Sequence, residues 1–338
     1  MYGSGMEMPK VSFAAIDCSQ IAAGSYFVGF NLDTAGALSK MDSSGTVTLL
    51  ESRVVDTGSG TYSTYRISTS NTASGDYSTV FGYTNTASGY GSNISGGYNN
   101  TVNFDLSTVS GGYVNTSSGY YSVVGGGAYN TALSDYSTVS GGYTNSAIDI
   151  STTVSGGYSN SASGIGSTVS GGVLNTASGY QATVGGGYGN SASGYCSATV
   201  GGGYGNSASG YYYATVSGGY SNTASGYYPS TVGGGRNNTA SGNYSTVSGG
   251  SGNTTSGCYS SVSGGYGNIA SGHYSGILGG DSNNTNSLSC TFIIGSGITA
   301  DTSCTTFVNC LSIKCIPTTS AGLCAGMVWS DHGKLCIV

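Results

Sequence analysis

The chain has 338 residues, of which 62 are Gly and 29 are Tyr, with 6 % charged and 37 % hydrophobic residues. This excludes an ordinary globular enzyme, where Gly is roughly 7 % and charge about 25 %, and the apolar content excludes simple disorder. Net charge is −6, and the seven basic residues (Lys10, Lys40, Arg53, Arg66, Arg236, Lys314, Lys334) are scattered, so no nucleic-acid footprint is present and no apolar run is long enough to insert in a membrane.

Residues 1–62 carry many of the bulky and charged side chains. Met1 to Gly24 has one Lys and no continuous apolar stretch, and does not read as a secretory signal. Ser25 to Phe30 is an extended run, followed by a polar turn, Leu38 to Met41, and Val47 to Leu50 across Asp42-Ser43-Ser44-Gly45. The pattern predicts a small β-rich attachment or cap module.

Residues 63–300 are repetitive. A central apolar residue recurs at Val109, Val124, Val139, Val154, Val169 and Val184 in steps of fifteen, at Val200, Val216 and Val232 in steps of sixteen, then at Val247 and Val262 in steps of fifteen. Ile67, Val80 and Ile94 extend the series upstream, and Ile277 and Ile293 downstream, for roughly fifteen coils. A second register runs from Asn85, Asn100 and Asn115 to Asn253 and Asn268, usually with Ala two residues later. Each unit therefore holds two short extended pieces, T-V-S and T-A-S, between Gly-rich turns. The period is too short for two helices, and Ser, Thr, Val and Gly oppose helix. The fold class expected is all-β, a parallel β-solenoid with coils about 4.8 Å apart and a rod on the order of 70 Å long. Alternation places the Val column opposite an Ala column, a thin core for which self-association is the natural remedy.

Residues 301–338 read as a Cys-rich β cap, with strand-like Thr306 to Asn309, Leu311 to Ile316 and Leu335 to Val338 and the sole Trp329. The nine Cys (18, 196, 258, 290, 304, 310, 315, 324 and 336) include no C-x-x-C pair, and their gaps match no common zinc spacing. Buried free thiols and disulfides within or between chains both remain open, and neither metal nor cofactor is expected.

Little else carries chemistry. Asp76, Asp105 and Asp135 each stand four residues before a core apolar residue, with Tyr90 and Tyr120 in the intervening coils. Two coils separate successive Asp by about 9.6 Å, beyond a retaining glycosidase pair and at the far edge of an inverting one. A sugar-binding strip and simple solubilising acids both fit. His273 and His332 have no nucleophile and orienting acid beside them in the sequence pattern, and Gly185-Gly186-Gly187 lacks a following Lys-Ser/Thr, so it reads as a turn. No enzymatic activity is expected. Tyr143, Tyr158 and Tyr220, beside the turns, offer amphipathic contact surface for glycans or proteins. Thr108, Thr138, Thr153, Thr168, Thr183, Thr199, Thr215, Thr231 and Thr246 would form an outward ladder like the flat Thr arrays of ice-binding solenoids.

The units T-V-S-G-G-Y-S-N-T-A-S-G, as at Thr215 to Gly226, resemble the head repeats of trimeric autotransporter adhesins, the YadA-like, hemagglutinin-type left-handed β-roll, over about 70 % of the chain. The resemblance implies a homotrimer presenting a binding surface. Ser25 to Leu50 and Ile316 to Val338 are similar to the ends of tail-fibre and structural proteins of phages and large DNA viruses. Together the resemblances imply a structural fibre or spike on the virion surface, in contact with other virion or capsid proteins and with host glycans or surface proteins. The alternatives are a bacterial adhesin head at the cell surface, an ice-binding solenoid, and a glycan depolymerase using the Asp column.

Overall fold

The computed structural model describes residues 26–31, 37–42, 47–49, 56–65, 70–310, 317–318, 320–322, 324–325, 327–331 and 334–337. Among these there is no helix, and the fold is a parallel β-solenoid of about 16 turns. The chain divides into two compact units, Met1–Ala132 and Leu133–Val338.

The first unit opens with an antiparallel sheet of Tyr26–Asn31, Ala37–Asp42 and Val47–Leu49, in which Phe27 faces Met41 and Met41 faces Val47 across the pairs. These are the strands the apolar runs predict. Asp56–Thr57 then pairs antiparallel with Thr64–Tyr65, which starts a parallel ladder through Thr79–Val80, Asn93–Ile94, Thr108–Val109 and Val123–Val124. A second ladder runs from Thr72–Ala73 to Thr131–Ala132. One expectation needs correction: the residue in register with Val80 is Tyr65, because T-Y occupies the T-V slot, and Ile67 lies outside the described residues.

The second unit repeats the plan. One ladder passes from Thr138–Val139 through Val154, Val169, Val184, Val200, Val216, Val232 and Val247 to Val262, and the other from Ser146–Ala147 to Ile269–Ala270. The first ladder continues past residue 300, since Gly276–Ile277 pairs with Phe292–Ile293 and Phe292–Ile294 pairs with Thr306–Val308. A terminal hairpin sets Val328–Asp331 against Lys334–Ile337, with Trp329 opposite Cys336. The expected strand at Leu311 to Ile316 lies outside the described residues.

Named strands are mostly two residues long, so the turns must supply much of the ladder. They do: Tyr143 N–H donates to Gly157 O at 2.9 Å, and Ser159 N–H donates to Tyr143 O at 2.9 Å. Backbone groups at the corners are thereby paired from coil to coil, as their enclosure requires.

Alternation begins one residue earlier than T-V and T-A. In S-T-V and N-T-A the first and third residues point inward and the Thr points out. The core of each unit consequently has four columns. Val80, Ile94, Val109 and Val124 in the first unit, and Val139, Val154, Val169, Val184, Val200, Val216, Val232, Val247 and Val262 in the second, are all fully buried. Facing positions hold mostly Ala, replaced by Val102, Ser117 and Thr255, and the other two columns hold Asn and mostly Ser, the latter replaced at Thr152, Ala182, Ala198 and Ala214, all buried. Several Ser hydroxyls donate to the carbonyl three residues earlier, as in Ser92 to Gly89 at 2.7 Å and Ser260 to Gly257 at 2.7 Å, while those of Ser78 and Ser245 have no partner.

Asn makes the sharpest corner possible. Asn175 Nδ2 donates to Gly171 O in its own coil and to Gly187 O in the next, both at 2.9 Å. The chain reaches this arrangement through Gly172, at φ +88°, where an added Cβ would stand 2.2 Å from Gly187 O and 2.6 Å from Asn175 Nδ2. Only Gly meets both the left-handed backbone and the close approach.

Candidate binding surface

Besides the Gly turns, most coils have two left-handed corners held by other residues, and these set what the surface displays. One precedes the inward Asn and holds Val114, Thr144, Ser159, Leu174 and their equivalents, with φ between 52° and 57° at these four. The other lies three residues before the inward Val and holds Tyr77, Tyr121, Tyr136, Tyr244, Tyr259 and Tyr274, with φ between 54° and 60°. Non-Gly residues in this region are costly, so the fold carries a repeated strain that hydrogen bonding offsets.

Tyrosines at these corners and beside the G-G turns stack coil upon coil. In the first unit the rings of Tyr83, Tyr98 and Tyr113 succeed each other at 5.4 Å. In the second, Tyr143 and Tyr158 stack at 5.5 Å, and Tyr188, Tyr204 and Tyr220 at 5.0 Å, with Arg236 5.5 Å over the far face of the Tyr220 row. Tyr143, Tyr158 and Tyr220 are each about half exposed. Each ring covers a face of its neighbour, so what a row presents outward is chiefly ring edges and hydroxyls.

The steps of sixteen add a feature the sequence reading missed. Ala177 to Val184 spans seven residues, whereas Ala192 to Val200, Ala208 to Val216 and Ala224 to Val232 span eight. The extra residue falls in the turn that carries Tyr195, Tyr211 and Tyr227, which stack into a ridge at 4.6 and 4.8 Å. Beside this ridge lies a groove of about 600 Å³, lined by Asp149, Ile165, Tyr180, Tyr195, Tyr211 and the serines after the inward Ala. The signal was present in the change of step together with S-G-Y repeated at the longer turn.

Within the first unit, Asp76 and Asp105 each turn to the backbone of the neighbouring coil. Asp76 Oδ1 accepts the N–H of Thr61 at 2.6 Å, and Asp105 Oδ1 accepts the N–H of Tyr90 at 2.8 Å. Tyr90 stands in the coil between them, and Asp135 belongs to the second unit, where its carbonyl accepts from Ser151 N–H at 2.9 Å. The same backbone-accepting position is filled by Asn243 Oδ1 toward Tyr228 and by His273 Nδ1 toward Cys258. Asp76 and Asp105 thus share a coil-linking role with neutral residues.

Outward Thr are in register from Thr138 to Thr246 in the second unit, while Thr108 in the first is flanked by Asn93 and Val123. Gly185 to Gly187 form a corner, with φ +144° and +90° at the last two. Among the described residues no three His, Cys, Asp or Glu lie together as a metal site. Cys290, Cys304, Cys310 and Cys324 carry exposed thiols in the single chain, and Cys290 interacts with Cys304. Cys18 and Cys315 lie outside the described residues.

No protein-family model matches this sequence, and neither does any curated protein.

Proposed function

We propose that this chain is a structural fibre or spike protein of a virus particle, a homotrimer fixed by one flanking module and attaching the particle to a host surface without catalysing a reaction. The observation that carries this reading is the in-register stacking of exposed tyrosines along both units, in runs of two to four consecutive coils. Stacked rings are ordered before binding, so little side-chain entropy is lost when a glycan or protein docks on their edges and hydroxyls. The thin apolar core supports the trimer reading: most coils bury one Val and one Ala as apolar side chains, and three add Ala182, Ala198 or Ala214.

Sedimentation of the purified chain should give about three times 33.4 kDa. Imaging of native particles with a labelled antibody should place it on projecting fibres. Incubated with host-surface polysaccharide, the trimer should bind without shortening the chains; shortening that Asp105→Asn abolishes would replace this reading with a depolymerase. The in-register Thr ladder favours ice binding as the second reading, and thermal hysteresis by the purified protein would select it.

A further inference from the structure

We infer that Cys290 and Cys304 form a disulfide that staples the last two coils of the first ladder. Cys290 stands two residues before Phe292 and Cys304 two before Thr306, and Phe292 and Thr306 are partners in the parallel ladder. The two cysteines therefore hold the same place on consecutive coils. Their backbones are fixed there: Cys290 N–H donates to His273 O at 2.9 Å, and Cys304 N–H donates to Ser289 O at 3.0 Å.

Both sit at the left-handed corner, with φ 55° and 58°, in the column that holds Tyr244, Tyr259 and Tyr274 in the preceding coils. There the side chains lean directly on one another, since the rings of Tyr244 and Tyr259 lie 4.9 Å apart and those of Tyr259 and Tyr274 5.1 Å apart. At the end of the column two cysteines replace the stacked rings. A ladder spacing of about 4.8 Å falls within the roughly 4.4–6.8 Å between Cα atoms that a disulfide spans. The two thiols interact with each other, and both residues are exposed to an oxidant. The choice of pair is specific, because Cys196 stands between Tyr180 and Tyr212 and Cys258 is followed by His273 in its column.

The oxidant is a small-molecule disulfide such as oxidised glutathione. One cysteine thiolate, having given up its proton, attacks a sulfur of that disulfide, forming a mixed disulfide and releasing one small thiol. The second cysteine, also deprotonated, attacks the protein sulfur of the mixed disulfide and expels the other small thiol. The protein loses two protons and two electrons and gains one S–S bond, and the oxidant's S–S bond is reduced to two thiols. Closing the short loop between the two cysteines restrains the coils at which the ladder would otherwise fray.

The test uses the full chain, reduced, then treated with oxidised glutathione, alkylated and cut with chymotrypsin without reductant. Cleavage after Leu288, Phe292 and Phe307 places Cys290 and Cys304 on separate peptides, Ser289–Phe292 and Ile293–Phe307, with Cys310 on a third. The two peptides should be recovered linked. Cys304→Ser should abolish the link and Cys310→Ser should leave it intact. Amide exchange across the two coils should slow at least about tenfold on oxidation. Recovery of both cysteines alkylated, or either one joined to a different cysteine, overturns the inference.

Discussion

Asn175 and Asn190 stand one above the other in the core, and the N–H of Asn190 donates to Asn175 Oδ1 at 2.9 Å. Asn175 in turn donates its own N–H to Asn160 Oδ1 at 2.9 Å, and the relation recurs through Asn206, Asn222, Asn238, Asn253, Asn268 and Asn283. A buried amide column thus passes a directional hydrogen bond from coil to coil. It fixes the register of a fold whose strands alone are too short to do so.

Asn175→Ala should be strongly destabilising. It leaves the buried Asn190 N–H without its acceptor and Gly171 O without its donor, while Gly187 O keeps the N–H of Val173. At about 1–3 kcal/mol for each of the two orphaned groups, a loss of about 2–6 kcal/mol is expected. Urea unfolding checks it, with exposed Ser178→Ala as a control that should change stability by no more than about 0.5 kcal/mol. Equal effects from the two substitutions would show that the amide column is dispensable.

The corner strain can be relieved. Val114 is β-branched and sits at φ 53°, whereas the equivalent corner one coil earlier holds Asn99 at φ 54°. Asn tolerates the left-handed region far better than Val and, unlike Gly, adds little freedom to the unfolded chain. Val114→Asn should therefore stabilise by about 0.5–1 kcal/mol, read as a higher urea midpoint. A lower midpoint would mean that the packing of the half-buried Val side chain outweighs its backbone strain.

Period and alternation made the solenoid and its Val and Ala columns legible, because both are direct consequences of side-chain direction along a strand. The Asn and Ser columns were half visible. Asn85 to Asn268 formed an evident register, but nothing in it marked the Asn as inward, since polarity normally marks the outside. Carrying the alternation back one residue, from T-A to N-T-A, would have placed them inward. The acids failed for a different reason: Asp76 and Asp105 share a column, but a column of spaced carboxylates looks the same whether it faces a ligand or accepts backbone N–H groups. The Tyr195 ridge and the Cys290 and Cys304 pair depend on which corner of the coil a residue occupies, and that is fixed only once both ladders are in register.

Thr255 stands in the Ala column, fully buried, and its hydroxyl has no hydrogen-bond partner. Ser117, at the same column in the first unit, escapes this by bonding to Ser122 Oγ at 2.6 Å. Thr255→Val keeps the shape and removes the orphaned hydroxyl, so a gain of about 1 kcal/mol is expected. Thermal and urea midpoints should both rise. Unchanged or lower midpoints would indicate that the hydroxyl has a partner in solution.

The tyrosine rows should make the fold sensitive to alkali. Tyr212 lies among Tyr195, Tyr211, Tyr227 and Tyr228, and Tyr259 between Tyr244 and Tyr274. Partial desolvation, then the charge that neighbouring phenolates would carry, pushes both hydroxyls above the ordinary phenol value of 10.0. A phenol with a raised folded pKa holds its proton more tightly in the fold than in the unfolded chain. The stability linked to that proton is fully present below the unfolded value and is lost as pH rises through the raised one. The urea midpoint should stay level from about pH 7 to 9 and fall above about pH 10. Tyrosinate absorbance should titrate in two phases, with a late fraction that vanishes when the chain is unfolded. Tyr259→Phe removes one of the interacting charges and keeps the stacked ring, so its alkaline decline should be shallower than that of the parent. A single-phase titration at the ordinary phenol value, with the same profile for parent and variant, would mean that the rows are electrostatically independent.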